Sequence, residues 1–246
     1  MTLAHLEPIF LLYDKRMLRH KPVGWVPPEV FPEYLDEIED DYPMENPERL
    51  RVIFDRLCTL ETRLLQPGNF PELVHRGGPV FHRLSCEMAT REQILLAHSK
   101  NYYDRMEDLR FYTDSDLADM SYDCMHDIYY NRESFNAARL AAGGLLACVD
   151  ASCAAPLSGM NKSLALVRPP GHHACQSQEM GFCFINSVVV AAKYAVATKK
   201  ASRVVILDWD IHDGMNCVWC FDIWQICHGT YWLTCYTLFA NRQRHC

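Results

Sequence analysis

Several things are missing from this sequence, and each absence narrows its function. Positive charge is not in excess: the formal net charge is −7, which argues against binding nucleic acid directly through a basic face. The opening residues, Met1-Thr-Leu-Ala-His-Leu-Glu-Pro8, lack the cationic stretch and long apolar core of a secretory signal. No apolar run has the length expected of a membrane span. Internal repeats, low-complexity segments and signs of a second folded domain are absent. The 12 cysteines are not spaced as a disulfide framework, and the first seven, Cys58 to Cys183, lie among apolar residues. They are expected to be reduced and buried, which points to the cytoplasm or nucleus.

What is present suits one globular domain: 246 residues, 49% hydrophobic and 22% charged. Pro8 to Tyr13 is expected to form a first strand, and the proline-rich Met17 to Pro32 a loop. Glu29 to Glu48 holds nine acidic residues and no lysine or arginine, the pattern of a solvated, mobile surface. Asn46-Pro47-Glu48 then predicts a helix start, with Asn as cap and Pro at the first helical position. Leu50, Ile53, Phe54, Leu57, Leu60 and Leu64 come next at helical spacing as a core-facing stripe. Thr90-Arg-Glu-Gln93 is a capping box. Glu133 to Asp150 is a long alanine-rich helix, in which Gly143-Gly144 predicts close packing on a neighbour. Asn186-Ser187 caps another helix through Ala197. Strands alternating with helices indicate a parallel sheet covered on both faces.

Two motifs carry chemistry. In Arg203-Val-Val-Ile-Leu-Asp-Trp-Asp-Ile-His-Asp-Gly214, Val204 to Leu207 predicts a strand buried on both faces. Asp208, Asp210 and His212 stand at its carboxyl end. Residues two apart on an extended chain point the same way, and that edge of an α/β sheet is where ligands bind. A carboxylate and an imidazole there can share a divalent metal, zinc foremost. Upstream, Leu164 to Val167 is a second strand, ended by Pro169, Pro170 and Gly171. That rigid turn delivers His172 and His173, two imidazoles suited to proton transfer near neutral pH.

Taken in order, Arg168-Pro-Pro-Gly-His-His173, Gly181-Phe-Cys183 with Asn186, and Asp208-Trp-Asp-Ile-His212 resemble three consecutive signatures of the zinc-dependent histone deacetylase family. Trp209 resembles the class II branch, closest to its class IIb members. The resemblance runs from about Leu11 to Gly214. It implies an α/β fold of the three-layer arginase/deacetylase type, with a central parallel sheet flanked by helices. It implies hydrolysis of acetyl-lysine amides on histone tails or other proteins, Zn2+ as cofactor, K+ near Asp208, a corepressor complex as partner, and a place in nucleus or cytoplasm. By resemblance Asp210 and His212 are metal ligands. His173 is the general base and then acid, His172 tunes it, and Asp208 hydrogen-bonds His172. Gly181 and Phe182 line the slot for the lysine stem, and Asp127 bonds the substrate amide. His98 resembles a structural histidine of the family.

The pattern also breaks. Met215 stands where the family usually has the Asn or Asp that orients the second histidine, and a thioether accepts weakly. From Cys217 the composition shifts to five cysteines, three tryptophans and one acidic residue, Asp222, with no legible alternation of strands and helices. The expected division is therefore 1–214 as the N-terminal part of a catalytic domain and 215–246 as a Cys/Trp-rich tail outside the family pattern. The family's third zinc ligand, its oxyanion-stabilising tyrosine and its glycine-rich loop have no counterpart before Cys246. A chain so truncated is expected to be inactive alone. Two other functions share these features: a non-catalytic module that keeps the acetyl-lysine-facing surface, and an acetylpolyamine amidohydrolase.

Overall fold

The computed structural model describes residues 9–25, 43–66, 79–122, 127–154, 162–208 and 210–212, and the backbone of 225–227 and 236–241. β1 (Ile9–Tyr13) is the middle strand of a parallel sheet, between β2 (Phe81–Leu84) and β3 (Ser163–Leu166). Leu11 and Leu12 are fully buried although they point to opposite faces, as befits a strand covered on both sides.

Each face of β1 has its helix. Tyr13 stacks on Phe54 of α1 (Pro47–Leu64), with ring centroids 3.9 Å apart. On the Leu12 side lies α5 (Ser134–Ala154), and the reason it can lie so close is its paired glycines. A Cβ on Gly143 would come within 1.9 Å of the Glu87 carbonyl oxygen, and one on Gly144 within 2.1 Å of Leu12 Cδ2. The packing role expected for that pair is what the structure shows. α5 is long and apolar enough to cross a membrane by length and composition, contrary to the expectation that no segment is. Here its apolar residues Phe135, Ala138, Ala142 and Leu146 lie in the main core.

Between β2 and α5 run three shorter helices: α2 (Arg91–Ile94), α3 (Lys100–Glu107) and α4 (Asp114–Tyr122). Thr90 and Gln93 form the anticipated capping box. α6 (Ser187–Ala197) begins at Asn186, whose side chain accepts from the Val189 N–H. It packs Val188 and Ala192 on Ile206 of β4 (Arg203–Asp208).

Four expectations need correcting. Of the α1 stripe, Leu50 is buried, but Ile53 and Leu60 are exposed. β4 is covered by α6 through Ile206 while Val205 on its other face is 40% exposed, so it is not buried on both faces. Among the described residues the strands form two sheets rather than one. In the second, β4 pairs in parallel with β5 (Gln225–Cys227) and antiparallel with β6 (Tyr236–Asn241). The open edges of β4 thus take two strands from a segment in which no regular pattern is legible, because backbone pairing needs no side-chain periodicity. Trp224 and Trp232 lie outside the described residues.

Finally, Glu45 belongs to the acidic stretch expected to be solvated, yet it is 2% exposed. The six cysteines whose side chains are described, Cys58, Cys86, Cys148, Cys153, Cys175 and Cys183, are thiols, three of them buried and three half-buried.

Candidate active site

The site gathers where β3 and β4 end. Asp208, the last residue of β4, is 3% exposed and divides its two oxygens. Oδ2 lies 3.0 Å from His172 Nδ1, and Oδ1 accepts the Asp210 N–H at 3.0 Å. A carboxylate oxygen accepts, so this contact assigns the donor role to His172 Nδ1. The pattern then repeats one step along. Asp210 Oδ1 accepts the His212 N–H at 2.8 Å and lies 2.9 Å from His212 Nδ1. These two-residue steps are local side-chain-to-backbone turns; they bend the exit of β4 and keep the three side chains together.

β3 delivers the histidines. After Val167 the Arg168-Pro-Pro-Gly171 turn is seated so tightly that a Cβ on Gly171 would lie 2.8 Å from the Ile185 carbonyl oxygen. His172 and His173 come next, with ring centroids 3.9 Å apart at 45°. His173 faces His212 edge-on at 6.0 Å. Burial first, and then the neighbouring His172, push the His173 imidazole down to about 4. At neutral pH it is unprotonated and can take a proton.

The wall beside His173 is built from Met180 to Cys183. Gly181 and Phe182 have φ of 53° and 61°, a left-handed pair that only glycine adopts at no steric cost. A Cβ on Gly181 would lie 2.5 Å from His173 Cδ2, so the bare backbone presses on the ring. Phe182 donates its N–H to the Asp127 carbonyl at 2.8 Å, and its ring tilts against Tyr129. Asp127 itself sits at φ 52° with its side chain exposed. His172, His173, Asp208, Asp210 and His212 therefore converge, with Gly181, Phe182 and Asp127 alongside. His98 is structural as expected: buried, it accepts the Asn186 N–H at 2.9 Å on Nε2, and burial drives it down to about 4.

Sequence reasoning missed the residues behind this assembly. Arg168 stands out only as part of a motif, and Glu45 is lost in an acidic run. They form a bidentate buried pair, at 2.9 Å and 2.7 Å, to which Tyr129 adds its hydroxyl. Burial alone would raise the Glu45 carboxyl. The Arg168 charge and hydrogen bonds outweigh it, and the net shift is downward. A second clamp joins Glu179 to Arg105 by two 2.8 Å bonds and to Tyr130 by one of 2.7 Å. It ties the loop before Met180 to α3. The only signal in the sequence is one of each charge far apart in the chain, and that does not specify a pair.

The donors near His173 suit zinc in kind, a carboxylate and an imidazole. They are two in number. Among the described residues no group of three or more His, Cys, Asp or Glu is placed to hold a metal ion. Asp210 and His212 also lean on each other, and the His212 side chain is 65% exposed. The residues present fit part of a zinc site.

Known proteins show the same architecture. Residues 43–222 match the histone deacetylase domain. The chain is 38% identical to histone deacetylase 6 of Caenorhabditis elegans over 182 residues, which are 74% of this chain and 17% of that protein. It is 31% identical to the polyamine deacetylase HDAC10 of Danio rerio, over 86% of this chain and 27% of the relative. Against the histone deacetylase clr3 of Schizosaccharomyces pombe the figures are 34%, 83% and 26%. The crystal structure of the HDA15 HD domain superposes with a TM-score of 0.66 at 28% identity, covering 90% of this chain and 53% of the other. The chain thus spans about a quarter or less of these curated relatives. With the converged histidines and aspartates on an α/β fold of the arginase/deacetylase type, the match over most of the chain places it in the histone deacetylase family, on its class II side.

Proposed function

We propose that this chain forms the histidine-bearing part of a zinc-dependent hydrolase that removes acetyl groups from acetyl-lysine side chains of histones or other proteins. The observation that carries this reading is the buried His172–Asp208 pair with His173 packed beside it, facing His212. Asp210 and His212 would hold zinc together with a further donor. When bound, the metal supplies a polarised carbonyl and a water of lowered pKa.

The chain's own residues do the rest. Asp208 fixes the His172 ring by its Nδ1 proton, and His172 in turn packs against His173. His173 takes a proton during attack and returns it to the departing lysine amine. Gly181 holds the His173 ring by contact, and with Phe182 it forms an apolar wall for the methylene stem. The exposed Asp127 would accept a substrate amide N–H. A potassium ion near Asp208, a corepressor partner, and action in nucleus or cytoplasm belong to the same proposal. So does a catalytic part ending near Gly214, although the family match runs on to residue 222. Acetylated polyamine is a second substrate class, favoured by the similarity to the zebrafish polyamine deacetylase.

With two donors among the described residues, the 246-residue chain is expected to turn over poorly by itself. The test measures zinc content and hydrolysis of acetyl-lysine peptides and of acetylated polyamine. It compares this chain with one carrying a class II carboxyl-terminal segment from Met215 onward. Activity gained by the longer chain and abolished by His173→Ala supports the assignment. Full activity in the longer chain bearing His173→Ala would place the machinery elsewhere.

A further inference from the structure

Arg168 is 2% exposed and every bond it makes leaves its own segment. Nε and Nη2 take the two oxygens of Glu45, and Nη2 also donates to the Tyr129 hydroxyl at 2.8 Å. Nη1 donates to the Met17 carbonyl at 3.1 Å and to that of His20. One guanidinium therefore ties together the turn after β1, the residue just before the cap of α1, and the segment after Asp127. Glu45 is held in return by the Tyr129 hydroxyl at 2.7 Å. Around them His20 is fully buried, stacked on Tyr129 at 4.5 Å and bonded through Nδ1 to Ser134 Oγ.

The residues after Arg168 make this more than core filling. Three of them separate it from His172: two prolines, whose rings fix φ, and Gly171, wedged against the Ile185 carbonyl and the Ser187 N–H. Such a linker has few soft torsions, so the placement of Arg168 is passed to the histidines with little slack. Tyr129 meets the other side of the site as well, through its ring against Phe182. A buried ion pair contributes little net stability compared with apolar side chains of the same volume. What a forked guanidinium offers that they do not is fixed direction.

We propose that Arg168, clamped by Glu45 and Tyr129, is a positioning residue that sets the orientation of His172 and His173 from the far side of the Pro169-Pro170-Gly171 turn. The inference rests on reading the two histidines as the working pair, and its test needs neither metal nor turnover.

The 246-residue protein, with 15N-labelled histidine, is compared with Tyr129→Phe, Glu45→Gln and Arg168→Lys. The control is Leu117→Ala, which opens the main core outside this network. The imidazole nitrogen resonances of His172 and His173, and the His172 Nδ1 proton held by Asp208, are tracked alongside the melting temperature. The expected result is a graded shift of these resonances, smallest in Tyr129→Phe and largest in Arg168→Lys, with partial loss of the Nδ1 proton signal. Leu117→Ala lowers the melting temperature and leaves the resonances in place. Unmoved resonances in folded Arg168→Lys and Glu45→Gln would overturn the proposal, as would equal shifts in Leu117→Ala. Should Arg168→Lys not fold, Tyr129→Phe decides, since it keeps the ring and loses one hydroxyl. Shifted resonances in a protein that never deacetylates would remove the reaction and keep the clamp. An active enzyme whose resonances ignore the clamp would do the reverse.

Discussion

The two arms of the site are built differently. The histidine arm leaves β3 through Arg168, Pro169, Pro170 and Gly171 and is held by buried Glu45 and Tyr129 behind it, and by buried Asp208 and half-buried Gly181 in front. The Asp210–His212 arm leaves β4 and is held by short turns of its own backbone, with its terminal imidazole mostly exposed. The comparison teaches that residues with chemistry in common need not share a means of support. On the roles proposed above, proton transfer would need a ring fixed in advance, whereas a metal donor could be drawn into place by the ion and its other ligands.

The sharpest way to test the difference is to remove the support of the histidine arm. Arg168→Ala leaves the Glu45 carboxylate buried without its partner and is expected to cost about 3–5 kcal/mol of stability in chemical denaturation. A loss below about 1 kcal/mol would mean that the clamp does not hold.

Acid should act on buried groups as well. Burial drives His20 down to about 3 and His98 down to about 4, while Glu45 is also shifted downward. Each group binds its proton more readily in the unfolded chain than in the folded one. The stability they contribute is therefore fully present above the unfolded values and is lost as pH falls. For the histidines the loss runs from about pH 6.5 toward 3–4, with a slope of about 1.4 kcal/mol per pH unit for each. Melting curves across that range should show it, and His98→Gln should flatten the slope by about one proton. A slope unchanged in that variant would contradict the assignment.

Gly181→Ala probes the contact between the arms and the wall. The new methyl meets His173, and φ 53° strains any side chain there. A loss of about 1–3 kcal/mol is expected, with displaced His173 resonances. Unchanged resonances would show that the glycine is not what orients the ring. The smallest effect belongs to the other arm: His212→Ala should stay within about 0.5 kcal/mol in the absence of metal, as for an exposed side chain. A larger loss would mean that the Asp210–His212 turn supports the fold, and the contrast between the arms would weaken.

Much of this is legible in the order of residues, and the reasons are local. The capping residues Asn46, Thr90 and Asn186 announce helix starts because a side chain satisfies backbone donors two or three residues away. Gly143-Gly144 announces a close approach because no other residue lets a helix rest on backbone. The Arg168-Pro-Pro-Gly-His-His173 run and the spacing of Asp208, Asp210 and His212 bring these groups to strand ends, since a strand end, a proline turn and two-residue spacing are properties of short segments. The chemistry of the site is therefore written in the order of residues.

Tertiary structure decided what depends on distance between segments. Glu45 is one of nine acidic residues whose pattern argues for solvent, and Arg168, 123 positions later, together with the Tyr129 hydroxyl makes its burial tolerable. Arg105 and Glu179 look like two surface charges until α3 and the loop before Met180 are brought together. β5 and β6 have no pattern of their own to betray them and form against the edges of β4. A hydrogen bond or an ion pair across the chain leaves no periodicity behind. The order of residues names the groups of the candidate site; the folded chain sets which of them are held still.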